Sequence, residues 1–212
     1  MPMFDVERLR ADIEFDAEVR GQRLRFATRF GLFSPRAIDE GTRLLLDHIE
    51  VSPTDDCLDL GCGYGAIGLT LAHLAPQGRT VLVDRDVVAV EYARRNVAAN
   101  GLANAEVLLG DGFEHLADRG FDLVASNLPA KAGNEALYLL LADARAHLRP
   151  GGRCTVVTLS GMRRFIERAM LEVFGSYEKT KQGRTHTVST SIRAATDSHS
   201  TPICLETSDP AG

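Results

Sequence analysis

The sequence predicts an α/β fold built on a mostly parallel β-sheet, with an antiparallel hairpin closing it at the C-terminal end. Short apolar segments alternate with segments of helical period, which is typical of strands and helices in a parallel sheet covered on both faces. A glycine-rich turn joins the first of these strands to its helix. Near the C-terminus, two short segments flank Gln182-Gly183, which indicates the closing hairpin.

The first 34 residues are expected to form an addition ahead of the main domain, which is predicted over residues 35–193. Apolar and polar side chains alternate on both sides of Arg20-Gly21, which indicates a β-hairpin between residues 13 and 26. Ser34 and Pro35 then match the N-cap and the first position of a helix that continues to Ile49.

Beyond this helix, strands and helices alternate regularly. Strands are predicted near residues 56–60, 80–84, 105–109, 121–126 and 152–159. Helices are predicted near residues 66–75, 87–99, 134–148 and 162–174. The closing hairpin pairs residues 177–181 with residues 185–192. Residues 194–212 are rich in Ser, Thr, Asp and Pro and poor in apolar residues, which predicts a disordered tail.

Composition and charge limit the classes of function. The chain has 212 residues, of which 44% are hydrophobic, enough for one domain with a sizeable core. Its net charge of -5 argues against a protein whose whole surface binds nucleic acid. The chain has no apolar run of membrane-spanning length and no signal-peptide core, so we expect a cytoplasmic protein without a membrane partner. Its four cysteines and six histidines lack the spacing of metal ligands, so no metal site is predicted.

The glycine-rich turn reads Asp59-Leu60-Gly61-Cys62-Gly63-Tyr64-Gly65. Its glycines allow a ligand to approach the backbone at a helix N-terminus. The turn also fits a loose dinucleotide pattern, but a pyrophosphate would lie near the like charge of Asp59. S-adenosylmethionine carries an ammonium group, a sulfonium and no phosphate, so an aspartate suits it better. Asp84 ends the next strand, where a carboxylate can accept hydrogen bonds from both ribose hydroxyls.

These two features resemble motifs I and II of the class I S-adenosylmethionine-dependent methyltransferases, and the resemblance implies their Rossmann-like sheet. It also implies that Asp59 faces the methionine ammonium, directly or through water, and that Asp111 faces the adenine amine. An ordinary Asp-Gly turn is the alternative for Asp111, and Phe113 either flanks the adenine or belongs to the core. The predicted cofactor-binding residues are Phe33, Asp59, Gly61, Gly63, Gly65, Asp84, Arg85, Asp111, Gly112 and Asn127.

Asn127 follows an apolar strand and begins the turn Asn127-Leu128-Pro129-Ala130. Many methyltransferases that act on planar amines carry Asn-Pro-Pro and then a bulky residue here. An exocyclic amine is a poor nucleophile while its lone pair is conjugated with the ring. An Asn oxygen and a neighbouring backbone carbonyl can accept the amine hydrogens and turn the lone pair towards the methyl group. Asn127, Leu128 and Pro129 are therefore the predicted catalytic residues, and a plain turn after a strand is the alternative.

The turn departs from the family pattern at two positions. Leu128 replaces the first proline and Ala130 replaces the bulky residue, which removes a stacking surface for a flat base. The Leu128 carbonyl can still accept a hydrogen bond, and Phe30 or Phe33 could supply the stacking surface. The departure therefore bears on the identity of the acceptor more than on methyl transfer.

A longer resemblance, over residues 11–193, is to the methyltransferase small domain group, which includes the catalytic domains of ribosomal RNA guanine-N2 methyltransferases. It is carried by segments within residues 31–46, 126–133 and 174–188. It implies that Phe33 and Ser34 lie at the mouth of the cofactor pocket and that Asn127 meets the acceptor amine. The predicted function is therefore S-adenosylmethionine-dependent N-methylation, with guanine N2 of ribosomal RNA as the leading acceptor.

Other acceptors and functions stay open. A small-molecule methyltransferase of specialised metabolism, a protein glutamine methyltransferase and a non-catalytic cofactor-binding protein all fit the motifs, and a dinucleotide-dependent reductase fits them least. Basic residues in three segments could form an RNA-binding face if the fold gathers them near the pocket, or could only solvate the surface. They lie within residues 20–36, 163–168 and 179–193. The sequence does not indicate an oligomeric state.

Overall fold

The computed structural model describes residues 5–117 and 119–195, so the predicted tail lies outside the described residues from residue 196 onward. The helices are α1 (Val6–Arg10), α2 (Glu40–His48), α3 (Ala66–Leu74), α4 (Val87–Ala99), α5 (Asn134–His147) and α6 (Arg163–Phe174). The strands are β1 (Ile13–Val19), β2 (Gln22–Thr28), β3 (Cys57–Leu60), β4 (Thr80–Asp84), β5 (Ala105–Leu109), β6 (Phe121–Asn127), β7 (Leu148–Leu159), β8 (Glu178–Gln182) and β9 (His186–Ile192).

Seven strands form one sheet in the order β5-β4-β3-β6-β7-β9-β8, and β1 and β2 form a separate two-stranded sheet. The five strands from β5 to β7 pair in parallel, whereas β9 is antiparallel to both β7 and β8. This arrangement confirms the predicted fold class. Because the strand order reverses at β3, the carboxyl ends of β3 and β6 form a topological switch point, where open α/β sheets bind ligands.

Two apolar clusters cover the two faces of the large sheet. The first joins the sheet to α2, α3, α4 and the N-terminal hairpin, with Phe26, Leu45 and Leu69 buried in it. The second joins the opposite face to α5 and α6, with Leu141 and Ile166 buried in it. All four residues of β3 are buried, as expected for a central strand packed on both faces. None of the described helices has the length and apolar character needed to cross a membrane.

Helix α2 begins later than the sequence predicts. Ser34 has a φ of 46°, in the left-handed region, whereas an N-cap residue has extended backbone. The cap is Asp39 instead, whose carboxylate accepts from the backbone N–H of Gly41 at 2.9 Å and of Thr42 at 3.1 Å. The predicted helix start at Ser34-Pro35 is therefore wrong by five residues, because the aspartate satisfies two backbone donors that a serine in this conformation does not.

Two further elements differ from the sequence prediction. Strand β7 begins at Leu148 rather than near residue 152, because Leu148 pairs with Phe121 across an irregularity in the ladder. Gly151-Gly152, predicted as a turn, lies within the bounds of β7 but in the irregular stretch of the ladder between Leu148 and Arg153, where Gly151 has a φ of 81°. The short helix α1, capped by the Asp5 carboxylate, was not predicted. The bounds of the other helices and strands agree with the prediction to within two residues.

The N-terminal hairpin is attached to α4 by two asparagine side chains that act as backbone partners. The Asn96 amide accepts from Ala27 N at 2.7 Å and donates to Ala27 O and Tyr64 O, both at 2.9 Å. Asn100 pairs with the backbone N and O of Arg25 in the same way. Because Tyr64 lies in the glycine-rich turn, Asn96 joins the hairpin to that turn.

Candidate active site

The predicted site residues meet at one edge of the large sheet. Asp59 lies in β3, Asp84 ends β4, Asp111 follows β5 and Asn127 ends β6. These four strands are parallel neighbours, so their carboxyl ends open on the same side. The fold therefore brings together side chains that are up to 68 positions apart (Asp59 to Asn127) in the chain.

The glycines of the turn have different physical roles. Gly61 and Gly63 adopt φ values of 71° and 56°, and a Cβ at either position would meet no atom of the described residues within 4 Å apart from its neighbours in the chain. They thus line open space in a conformation that favours glycine, as expected for a backbone cradle. A Cβ at Gly65 would lie 2.6 Å from Leu69 Cδ1. Gly65 is therefore required by the packing of α3 against the turn, rather than by space for a ligand.

Asp59 is fully buried beneath this turn. Its Oδ2 accepts from Gly68 N at 2.7 Å, while its Oδ1 has no hydrogen-bond partner in the described part of the chain. Burial raises the pKa of Asp59 to about 7, with the hydrogen bond from Gly68 N opposing this shift and the charge of Asp84 adding to it. An unpaired buried carboxylate oxygen fits a ligand with a positive group, and the S-adenosylmethionine ammonium is such a group.

Asp84 fixes the glycine-rich turn as well as ending β4. Its Oδ2 accepts from Gly63 N at 2.8 Å and its Oδ1 accepts from Asp86 N at 2.9 Å. A carboxylate has about four acceptor positions, so capacity for ribose hydroxyls is left. The bond to Gly63 is a second role for Asp84 that sequence reasoning missed.

The remaining predicted cofactor residues lie near the surface, and those that follow β4 and β5 lie at the same edge. Arg85 and Asp111 are exposed, and a Cβ at Gly112, whose φ is 63°, would be more than 4 Å from any atom in the part of the chain that the structure describes, its neighbours aside. The Phe33 side chain is 66% exposed, in the segment between β2 and α2. Phe113 belongs instead to the core, where it is buried and stacks on the His147 ring at 4.6 Å between centroids.

Asn127 is half-buried and its side-chain amide contacts the start of α2. Its Nδ2 donates to Thr42 Oγ1 at 3.0 Å and lies 3.4 Å from each carboxylate oxygen of Asp39. Among the described residues we find no donor to its Oδ1. Sequence reasoning missed Asp39 and Thr42, since a helix cap can be predicted locally but a contact 85 or more positions away cannot.

The turn Asn127-Leu128-Pro129-Ala130 is called the acceptor turn below, and its other residues differ in exposure. Leu128 is buried, and its backbone N–H donates to Val157 O at 3.0 Å, which ties the turn to β7. Pro129 and Ala130 are exposed. The preceding Ser126 donates from Oγ to Leu60 O at 2.7 Å, which links the end of β6 to the end of β3. The backbone of the turn is thus fixed on both sides, while its tip faces solvent.

The basic segments divide into structural and exposed arginines. Arg20 donates to the carbonyls of Leu46 and Ile49 at the end of α2, and Arg193 donates to Leu148 O at 2.5 Å. Arg23 pairs with Asp16, so the first segment does not present a continuous free basic face. The exposed basic residues of the other two segments are Arg164, Arg168, Lys179, Lys181 and Arg184.

Comparison with known proteins places this geometry in a family context. The family model described as methyltransferase small domain matches residues 23–190. A ribosomal RNA small subunit methyltransferase C from Pseudomonas putida is 41% identical over 137 residues, which are 63% of this chain and 41% of that protein. The same-named protein from Pseudomonas syringae is 36% identical over the same shares. The chain thus spans less than half the length of these curated relatives.

Solved structures of methyltransferases are also similar to this chain. The T. thermophilus 16S rRNA N2 G1207 methyltransferase, solved in complex with AdoMet and guanosine, matches with a TM-score of 0.78 and 28% identity. The match covers 86% of this chain and 50% of that chain. A methyltransferase from Pyrococcus furiosus matches with a TM-score of 0.64 over 78% of this chain and 90% of its own, at 22% identity. That identity supports a shared fold alone.

Proposed function

The chain belongs to the methyltransferase small domain family, and from this premise we propose that it transfers a methyl group from S-adenosylmethionine to an exocyclic amine. Guanine N2 in ribosomal RNA is the leading acceptor. Support comes from the relatives named ribosomal RNA small subunit methyltransferase C and from the similar structure that holds AdoMet and guanosine. As the chain spans only part of these proteins, the acceptor is inferred for this chain and requires its own test.

The residues at the sheet edge fit S-adenosylmethionine, which when bound would supply an electrophilic methyl group on sulfur. Asp59 would stabilise the ammonium with the carboxylate oxygen that lacks a partner in the described chain. Asp84 would accept from the ribose hydroxyls, and Asp111 would accept from the adenine amine. Because Gly61 and Gly63 have no side chains, the space beside their backbone stays open, and the cofactor could contact that backbone directly.

The observation that carries the acceptor chemistry is the orientation of Asn127. Because its Nδ2 faces Thr42 and Asp39, its Oδ1 is free to accept a hydrogen from the acceptor amine. The Leu128 carbonyl would accept the second hydrogen, on a backbone held by Val157. Together they would hold the amine lone pair out of conjugation and aim it at the methyl group. No strong base is required, since the nitrogen becomes acidic once it is methylated.

The direct test is transfer of labelled methyl groups to separated 30S and 50S subunits, naked ribosomal RNA, transfer RNA and a protein extract. We expect label in one ribosomal RNA fraction, and in it on guanine N2 after nucleoside digestion. Asn127→Ala should lower transfer about a hundredfold or more, because an orientation effect of this kind contributes several powers of ten. Its affinity for S-adenosylmethionine, measured by calorimetry, should fall far less than its rate of transfer, because Asn127 is only one of the predicted cofactor contacts.

Each alternative gives a distinct result in the same experiment. Label in the protein extract would favour a protein acceptor, such as a glutamine side chain. Binding of S-adenosylmethionine without label in any macromolecule would favour a small-molecule acceptor or a non-catalytic protein. Equal transfer by Asn127→Ala and the parent would remove Asn127 from the mechanism.

A further inference from the structure

The Asn127 amide is held by two residues from a different part of the chain. Thr42 Oγ1 accepts from Nδ2 at 3.0 Å, and both oxygens of Asp39 lie 3.4 Å from the same nitrogen. Thr42 is buried and Asp39 is half-buried, so these contacts are partly shielded from water. Two side chains from the start of α2 thus meet at the amide nitrogen of Asn127, at the end of β6.

We propose that Asp39 and Thr42 are positioning residues that select the orientation of the Asn127 amide, with Nδ2 turned to α2 and Oδ1 turned to the acceptor. The catalytic consequence of this inference rests on the proposed function. Neither residue touches the reacting atoms. Each acts through Asn127.

The chemistry of the acceptors explains why two residues are used. A side-chain amide is nearly symmetric in shape, so sterics alone do not distinguish its oxygen from its nitrogen. A threonine hydroxyl can donate or accept and therefore tolerates either orientation. An ionised carboxylate only accepts, so Asp39 disfavours the orientation that would turn Oδ1 towards it. The flipped amide would present a donor to the acceptor amine, which itself donates.

Asp39 and Thr42 are themselves fixed by the cap of α2. Asp39 Oδ1 accepts from the backbone N–H of Gly41 and Thr42 in addition to its contact with Asn127. A Cβ at Gly41 would lie 2.7 Å from Cδ2 of His186 in β9, so the glycine permits a close approach of α2 to the sheet. This close approach places the cap within reach of Asn127.

Asp39→Asn separates positioning from capping. Asparagine caps helices as well as aspartate does, so folding should be preserved, but its amide adds a donor beside the Asn127 donor. We expect kcat for methyl transfer to fall about tenfold or more, with KM, S-adenosylmethionine affinity and Tm nearly unchanged. Asp5→Asn is the matched control, because Asp5 also caps a helix through two backbone N–H groups, at 3.1 and 3.2 Å. It should leave kcat unchanged.

Thr42 is tested by removal and restoration of its hydroxyl. Thr42→Val keeps the shape of the side chain and removes the acceptor, so kcat should fall several-fold at similar Tm. Thr42→Ser keeps an acceptor and should recover kcat relative to Thr42→Val. If both variants fall equally, or if Asp39→Asn retains full kcat while Asn127→Ala abolishes transfer, the positioning role is wrong and the proposed function stands.

A second readout does not depend on activity. The side-chain NH2 signals of Asn127 in a ¹⁵N-labelled sample can be assigned by their loss in Asn127→Ala. We expect them to exchange slowly with water in the parent and faster in Asp39→Asn and Thr42→Val. Equal exchange in all three proteins would overturn the inference. If no acceptor is methylated by the parent, the proposed function fails, and this measurement still decides whether the amide is held.

Discussion

At the scale of single residues, Asp59 has an unfavourable electrostatic environment for an ionised carboxylate. Its carboxylate is fully buried, one oxygen has no partner in the described chain, and burial raises its pKa from 3.8 to about 7. Between pH 3.8 and about 7, the carboxyl group therefore holds a proton in the folded protein that it would lose in the unfolded chain. A buried carboxylate of this kind disfavours folding when ionised and stabilises a bound cation.

Asp59→Asn should remove the free-energy penalty of burying this ionised carboxylate. Between the ordinary pKa of 3.8 and about 7, the folded state binds the proton more tightly, so stability falls as pH rises. Asp59→Asn lacks this titration. Its Tm should therefore exceed the Tm of the parent by a larger amount at pH near 8 than at pH near 5. Thermal unfolding at both pH values measures the difference. Asp47→Asn, at an exposed position in α2, is the control and should give no comparable difference.

The same residue should make cofactor binding depend on pH. If the ammonium of S-adenosylmethionine faces the ionised form of Asp59, affinity should weaken as pH falls through about 7. The Asp59→Asn variant should bind more weakly and lose that dependence, which calorimetry at several pH values would detect. A parent whose affinity is flat across this range would argue that Asp59 supports only the turn, through Gly68.

The sequence was sufficient to predict the position in the fold of candidate site residues that a local pattern marks. The turn from Asp59 to Gly65, Asp84 at a strand end and Asn127 before a proline turn all belong to that class. It was insufficient for Asp39 and Thr42, because their contact with Asn127 depends on how α2 packs against the sheet. It also left Phe113 open between two roles, which its buried stack on His147 settles in favour of the core.

At the scale of elements, two boundaries were predicted wrongly, for different reasons. Ser34-Pro35 looked like a helix start, and Gly151-Gly152 looked like a turn, because local residue preferences favour both. Asp39 overrides the first, since it satisfies two backbone donors. For the second, Leu148 already pairs with Phe121, so β7 begins before the glycines, which lie in the irregular part of that ladder between Leu148 and Arg153. A better cap a few positions along the chain moved the first boundary, and pairing with a neighbouring strand moved the second, while elements with clear apolar periodicity kept their bounds.

The attachment of the N-terminal hairpin gives a test at this scale. Asn96→Ala would leave the backbone N and O of Ala27 and the carbonyl of Tyr64 without their side-chain partner. An unsatisfied buried group costs about 1–3 kcal/mol. The bond to Tyr64 O is buried, whereas water can partly replace the two part-buried bonds to Ala27, so we expect a loss of roughly 2–4 kcal/mol in the free energy of unfolding. Urea denaturation measures this loss. S-adenosylmethionine affinity should fall as well, because Tyr64 is part of the glycine-rich turn.

Asn100→Ala is the comparison for Asn96→Ala. Asn100 makes the same kind of contact with Arg25, but these bonds are exposed, so water can replace the lost partner. Its cost should be about 1 kcal/mol or less. Equal losses from the two variants would mean that burial of the Asn96 bonds adds nothing to the attachment of the hairpin.

At the scale of the whole molecule, the regular alternation of strands and helices was enough to predict a parallel sheet, since such strands need crossover connections. The distribution of charge was less predictable, because a run of arginines does not state which of them meet carbonyls or carboxylates in the fold. Arg20 and Arg193 bond to the C-terminal ends of helices. Arg164 and Arg168, by contrast, are exposed on α6.

The position of α6 makes Arg164 the arginine to test for RNA contact. Helix α6 follows the carboxyl end of β7, which pairs in parallel with β6 up to Asn127. Arg164 therefore lies at the start of a helix, at the same edge of the sheet as the acceptor turn. If it contacts an RNA phosphate, Arg164→Gln should weaken RNA binding uniformly across sequences. It should also reduce the slope of log K against log salt by about one.

Arg79→Gln separates this contact from a general loss of charge. Arg79 is exposed and directly precedes β4, so it lies at the opposite edge of the sheet from the acceptor turn. Both variants lower the net charge by the same amount, and long-range attraction should fall equally in both. Only Arg164→Gln should change the salt slope, because counterion release depends on direct phosphate contacts rather than on net charge. An equal slope in both variants and the parent would place the RNA-binding surface elsewhere on the molecule.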